Sequence, residues 1–158
     1  MTRTGIGYDS HRFVEGRPLV LGGQVIPHTH GLAGHSDADA VAHALTDAIL
    51  GAAAAGDIGT HFPDTDPRWK GADSIDLLRR AAALVGERGF RVTQADITVI
   101  LERPRLGPFV PAIRAALAAA LDLTVDEVSV KAKTNEGMGF VGRGEGVATI
   151  AVATLEAR

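Results

Sequence analysis

VATIAVATL, residues 147–155, is apolar or threonine at every position. A strand with no polar side cannot leave either face in water, so this segment reads as a sheet strand covered on both faces. Working back from it, VSVKAKT (128–134) reads as a second strand, and the Gly-rich run NEGMGFVGRGEG (135–146) joins the two. Before that, Ile113, Leu117 and Leu121 recur every four residues after Pro108 and predict a helix, which itself comes after the strand-like ADITVIL at 95–101. Asp73 looks like the cap of a further helix carrying Ile75, Leu78, Ala82 and Val85 on one stripe and ending before Gly89. Residues 38–55 predict a first helix, opened by Ser36 with Asp39 three residues on, as in a capping box, and stopping around Gly56. Residues 4–13 alternate, and 18–26 form apolar runs around Gly22 and Gly23, which together predict an opening β-hairpin. The order strands, helix, helix, strand, helix, strand, strand indicates an α+β chain built on one mixed sheet layered with helices, a single domain over 1–158. The Ala-rich helices have thin apolar stripes, so a second subunit is expected to complete the core.

Composition narrows the chemistry. The chain has 158 residues, enough for one ordinary core, and 16 Lys plus Arg against 19 Asp plus Glu, a net charge of −3. No basic block is long enough for a nucleic-acid footprint. There is no cysteine, so any metal must be held by His, Asp or Glu, and a cytoplasmic location is the natural expectation. MTRTGIGYD at the start carries no apolar export segment, and no apolar stretch is long enough to span a bilayer.

Asp9 and His11 are two apart on a strand and therefore project to one face, as two ligands of one ion would. A surface acid beside a hydrogen-bonded histidine has the same spacing. His43 lies with Asp47 on a face of the first helix that also carries Leu50 and Ala54, opposite the stripe of Val41, Leu45, Ala48 and Ala52. A helix apolar on both sides is buried, so His43 needs a partner, either Asp47 or a metal. Asp, His and His would leave a fourth tetrahedral position open, the arrangement of a catalytic zinc. His35 and Ser36 precede the same helix, where free N–H groups and the helix dipole favour an anion, unless Ser36 is simply the cap. The Gly-rich run with Thr134, Asn135, Glu136, Phe140 and Arg143 looks like a phosphate loop, yet it matches neither the P-loop nor the dinucleotide fingerprint, and a plain connection explains it equally. FPDTDP (62–67) likewise reads as a proline and Asx turn.

GYDSHRF (7–13), GHSDADAVAHALTDAILGAAAAGDIGTHFPDTDP (34–67) and KAKTNEGMGFVGRGEG (131–146), in that order, resemble the 2-C-methyl-D-erythritol 2,4-cyclodiphosphate synthase family. The resemblance implies conversion of 4-diphosphocytidyl-2-C-methyl-D-erythritol 2-phosphate into the cyclic diphosphate and CMP, in non-mevalonate isoprenoid synthesis. It implies a chorismate-mutase-like α+β sandwich, its mixed sheet covered by helices on one face, assembled as a homotrimer with each site between two subunits. Asp9, His11 and His43 match the zinc ligands, and Asp9 and His11 also face the substrate. Glu136, with Asn135 beside it, matches the holder of a second divalent ion, magnesium or manganese. His35 and Thr134 match the pair assigned to the transition state, and Ser36 the contact to the 2-phosphate. Asp57, Ile58 and Gly59, with Phe62, Pro63, Asp64, Thr65 and Asp66, match segments around the sugar. Leu101, Arg105, Leu106 and Gly107, with Ala132 and Lys133, match the cytidine pocket. Phe140 and Arg143 match residues lining a cavity on the three-fold axis that holds isoprenoid diphosphates. Asp47 is expected either to orient His43 or to touch substrate. The chain departs from the family pattern at Lys133-Thr134-Asn135, where a run of threonines is usual, and at Arg105, where lysine is common. Both changes bear on the nucleotide contacts rather than the reaction. Two rivals share these residues: a phosphodiesterase that uses water, and a non-catalytic metal-stabilised nucleotide binder.

Overall fold

Alternation along Thr2–Val14 makes β1, whose even residues are exposed as far as Arg12 and whose odd residues turn inward. The computed structural model describes residues 1–158. Next come β2 (Leu19–Leu21) and β3 (Gln24–Ile26), then β4 (Gly31–Leu32), α1 (Ala40–Ala52), a single turn α2 (Ile58–His61) and α3 (Ser74–Glu87). β5 (Phe90–Ile100), α4 (Val110–Leu121), β6 (Val128–Lys133), the short α5 (Gly139–Gly142) and β7 (Gly146–Ala157) complete the chain. The main sheet has the order β4-β1-β7-β5-β6. It is mixed, because β5 and β6 run parallel while the other neighbours are antiparallel. Helices α1, α3 and α4 pack on one face of it. No helix is long and apolar enough to cross a membrane.

The expected opening hairpin does not form between 4–13 and 18–26. β1 pairs with β7, from Thr2 opposite Glu156 to Arg12 opposite Gly146, and the hairpin lies wholly within 18–26 as β2 and β3. Gly22 and Gly23 both have positive φ (59° and 75°), the backbone of a tight two-residue turn whose twist matches its strands. Covering both faces of β7 also fails within this chain. Ile150 is 37% exposed, and its cross-strand neighbour Tyr8 and the nearby Ile6 are 55% and 70% exposed. The helix-free face of the sheet thus carries an exposed apolar patch of Ile6, Tyr8 and Ile150, beside the exposed Asp96–Lys131 ion pair.

α1 lies against β1 at very short range. A Cβ on Gly5 would sit 2.1 Å from the Ala48 carbonyl oxygen, and one on Gly7 would sit 1.9 Å from that of Ala44. Small residues on both elements therefore set the helix directly on the strand, and the same inward face of β1 continues into Asp9 and His11. The helix start differs from the expectation. Asp39, fully buried, caps α1 by accepting from Val41 N (3.1 Å) and Ala42 N (3.0 Å), and the same carboxylate accepts from Gly22 N (2.8 Å) and Gly23 N (2.7 Å). Ser36 is not the cap, because a carboxylate can serve four donors at once while a hydroxyl cannot. We expect Asp39→Ala to cost about 2–4 kcal/mol, the lost cap plus newly orphaned buried donors, in denaturant unfolding. A loss below about 1 kcal/mol would place the cap elsewhere.

Candidate metal centre and active site

Strand β1 and the first turn of α1 bring Asp9, His11 and His43 together, with ligand atoms all within 4.8 Å of one another. His11 Nε2 lies 2.7 Å from Asp9 Oδ2, His43 Nδ1 lies 3.3 Å from the same oxygen, and the two nitrogens are 3.2 Å apart. His11 Nδ1 is 2.7 Å from the Ala33 carbonyl, which only accepts, so Nδ1 carries the proton and Nε2 a lone pair. His43 turns Nε2 to the Ser74 hydroxyl at 2.7 Å and to Ser36 at 3.1 Å, leaving Nδ1 toward Asp9. Asp9 Oδ2 is buried and has no well-aligned hydrogen-bond donor, and the hydroxyl of Thr149, opposite Asp9 on β7, is likewise buried without a partner. Lone pairs converging in a half-buried site need positive charge among them, from a metal ion or a proton. The residues present therefore fit a metal ion with one open position.

Burial by itself would raise the Asp9 carboxyl and lower the His11 imidazole. Their 2.7 Å contact and opposite charge, once His11 takes a second proton, outweigh it in both, so Asp9 sits below its ordinary 3.8 and His11 above its ordinary 6.5. In the metal-free protein the Asp9 contribution is present above pH 3.8 and lost as pH falls through its lower folded value. The His11 contribution is present below pH 6.5 and lost as pH rises through its higher folded value. A metal competes with that same His11 proton. The melting-temperature gain on adding zinc to chelator-treated protein is therefore expected to be largest near pH ~8 and to shrink toward pH ~5.5. A gain independent of pH would exclude His11 as a ligand.

Beside the three ligands a cleft of ≈ 350 Å³ is lined by His35, Ser36, Ile58, Gly59, Phe62, Pro63 and Asp64, with Trp69 and Leu77 closing it. His35 is fixed by its Nε2, 2.9 Å from the Asp66 carbonyl. Asp57 caps α2 through Thr60 N, and Asp66 caps the following turn through Arg68 N, while Thr65 is exposed between them. Asp47 does not bond His43. Its carboxylate accepts from Ile58 N at 2.7 Å and ties α1 to the start of α2, while burial pushes that carboxyl up. Two N–H groups at the start of α1, those of Val41 and Ala42, are already taken by the Asp39 carboxylate. What faces the cleft for an anion is the Ser36 hydroxyl and the His35 ring.

A second cleft of ≈ 700 Å³ is lined by Leu101, Arg105, Leu106, Gly107, Ala132, Lys133 and Thr134. It shares no residue with the first. His35 and Thr134 thus lie in different clefts of one chain, and Glu136 is not part of the Asp9–His11–His43 cluster. Glu136 occupies the left-handed region (φ 54°) in a loop held by Glu102, whose Oε1 accepts from Asn135 N (3.0 Å) and Gly137 N (3.1 Å). That carboxylate fills two N–H groups that a phosphate loop would offer. Phe140 is partly exposed on α5, and Arg143 pairs with Glu145 at 3.1 Å. Sequence reasoning missed Ser74, Trp69 and Glu102. Ser74 carried only the signal of standing next to the helix cap Asp73, and Glu102 none at all.

Mixed sheet, helices on one face and an Asp-His-His cluster beside a cleft lined by His35 and Ser36 define an α+β protein with a candidate catalytic metal centre. Residues 2–156 match the YgbB family model, and the chain belongs to that family. It is 60% identical over 154 residues to the 2-C-methyl-D-erythritol 2,4-cyclodiphosphate synthase of Symbiobacterium thermophilum, covering 98% of each chain. It is 58% identical over 154 residues to that of Salinibacter ruber, with 98% of each covered. A solved synthase of that name with CDP bound has a TM-score of 0.90 at 46% identity, over 98% of this chain and 100% of the other. The bifunctional IspDF of Campylobacter jejuni matches all of this chain with a TM-score of 0.96 at 46% identity, and this chain spans 43% of that longer protein.

Proposed function

We propose that the chain is a CMP-releasing cyclodiphosphate synthase of the non-mevalonate isoprenoid pathway, acting on 4-diphosphocytidyl-2-C-methyl-D-erythritol 2-phosphate. The carrying observation is the convergence of Asp9, His11 and His43 beside His35 and Ser36 in a chain 60% identical to a synthase of that name. A 2-phosphate oxygen attacks the β-phosphorus, one P–O bond forms, the P–O bond to CMP breaks, and no water is consumed. The nucleophile is already an anion, so no Ser or Cys has to be activated and the residues are left with positioning and charge. Asp9, His11 and His43 are the residues to hold zinc, which when bound supplies Lewis-acid charge for a phosphate oxygen. Ser36 and His35 orient the 2-phosphate, with His35 and Thr134 serving the developing charge. Glu136, with Asn135 alongside, is the residue for magnesium or manganese at the diphosphate. Asp57 to Gly59 and Phe62 to Asp66 border the sugar, and the cleft from Leu101 to Gly107 with Ala132 and Lys133 takes the cytidine.

The working unit in this reading is a homotrimer of chorismate-mutase-like subunits in the cytoplasm. Two observations support it: His35 and Thr134 lie in separate clefts of one chain, and Ile6, Tyr8 and Ile150 form an exposed apolar patch on the helix-free face of the sheet. An isoprenoid diphosphate near Phe140 and Arg143 would have to compete with Glu145 for the Arg143 guanidinium. The test is product analysis with the diphosphocytidyl substrate and magnesium in ¹⁸O-labelled water. The cyclic diphosphate and CMP should both appear free of label. Label in either product, or a linear phosphate in place of the ring, would show hydrolysis instead.

A further inference from the structure

A histidine that holds a metal must present one ring nitrogen as a bare lone pair, and the other nitrogen decides which one it is. In His43, Nδ1 faces Asp9 and His11, so the question is what faces Nε2. Ser74 Oγ lies there at 2.7 Å. A hydroxyl can donate or accept, and the distance alone leaves the tautomer open. The answer comes from the next contact along. Ser74 Oγ also makes a short contact to Asp37 Oδ1, and an ionised carboxylate can only accept. The hydroxyl hydrogen goes to Asp37, and the oxygen is left to accept from Nε2–H. Asp37 is itself held, accepting from Asp39 N on Oδ1 and from Ser74 N on Oδ2, both at 3.1 Å.

Two further facts separate this from ordinary helix capping. The cap of α3 is Asp73, which accepts from Ile75 N at 2.9 Å, so the Ser74 hydroxyl is not spent on the helix end. Ser74 is also fully buried, which keeps bulk water from taking its place beside Nε2. Ser36 is the other hydroxyl near Nε2, but it is farther away at 3.1 Å and takes the Ala38 N–H at 3.2 Å.

We infer that Ser74, oriented by Asp37, is a positioning residue for the metal centre: it fixes the His43 tautomer with its lone pair on Nδ1 and sets the angle of the ring. The inference rests on the reading of Asp9, His11 and His43 as a metal centre. It makes the first turn of α3 a support for a ligand on α1, through three side chains from three separate segments.

The test is zinc affinity of the purified protein, measured by competition with a chromophoric chelator, beside ¹⁵N NMR of the histidine rings in the metal-free protein at mildly alkaline pH. Ser74→Ala should bind zinc about 10–100-fold more weakly than wild type, and its His43 should change from the Nε2–H form to a mixture. Ser74→Thr, which keeps the hydroxyl, should recover most of the loss. Unchanged zinc affinity and an unchanged tautomer in Ser74→Ala would overturn the inference while leaving the metal centre standing. Failure of wild type itself to bind zinc, with the tautomer still dependent on Ser74, would instead remove the metal reading. Should Ser74→Ala not fold, Asp37→Ala decides by the same two measurements: it frees the hydroxyl hydrogen to donate to Nε2, and wild-type behaviour there overturns the inference.

Discussion

His43→Ala should purify with less than about a tenth of the wild-type zinc and turn over at least roughly 10³-fold more slowly, because three converging ligands become two. His43 supplies the one ligand from the helix, while Asp9 and His11 are both on β1. Without it, the remaining carboxylate and imidazole, 2.7 Å apart, can close into an ion pair that keeps the strand in place. The variant should accordingly stay folded, which separates loss of the centre from loss of the protein. Metal analysis and product formation on the same preparation check both halves. Full zinc in His43→Ala would remove this residue from the centre.

Mixing inactive variants tests where the site is completed. If the chain works as the proposed homotrimer, His43→Ala and Glu136→Gln should each be nearly dead alone. Refolded together in equal amounts, about three-quarters of the trimers should be of mixed composition, and going once round such a ring only one junction in three joins an intact metal side to an intact Glu136 side. Roughly a quarter of wild-type activity should therefore return. The two separate clefts in one chain are the structural ground for the expectation. A site contained in one subunit predicts no recovery, and mixing without refolding is the control for subunit exchange. Co-refolded mixtures that remain inactive while trimers demonstrably mix would show that the interfacial site is wrong even where the reaction is right.

Much of the molecule was legible in the chain itself, for a local reason. Side chains alternate along a strand and recur every three to four residues along a helix, so the period alone put Asp9 and His11 on one face and Ile113, Leu117 and Leu121 on one stripe. Asp73 capped its helix as its residue type and place suggested, since a cap bonds only two residues away. Long-range choices were not legible. The partner of β1 turned out to be β7, at the opposite end of the chain, because strand pairing is settled by packing of the whole sheet and not by which segment comes next in sequence. Asp39 displaced Ser36 as the α1 cap because folding brings Gly22 and Gly23 to the same carboxylate. Ser74 reached His43 only because α3 packs beside α1. The sequence by itself determined the elements, the ligand types and their faces, all set by backbone geometry within a few residues. Only the tertiary structure decided which of those faces meet, since contacts between residues far apart in the chain are selected by packing and hydrogen-bond satisfaction over the whole molecule.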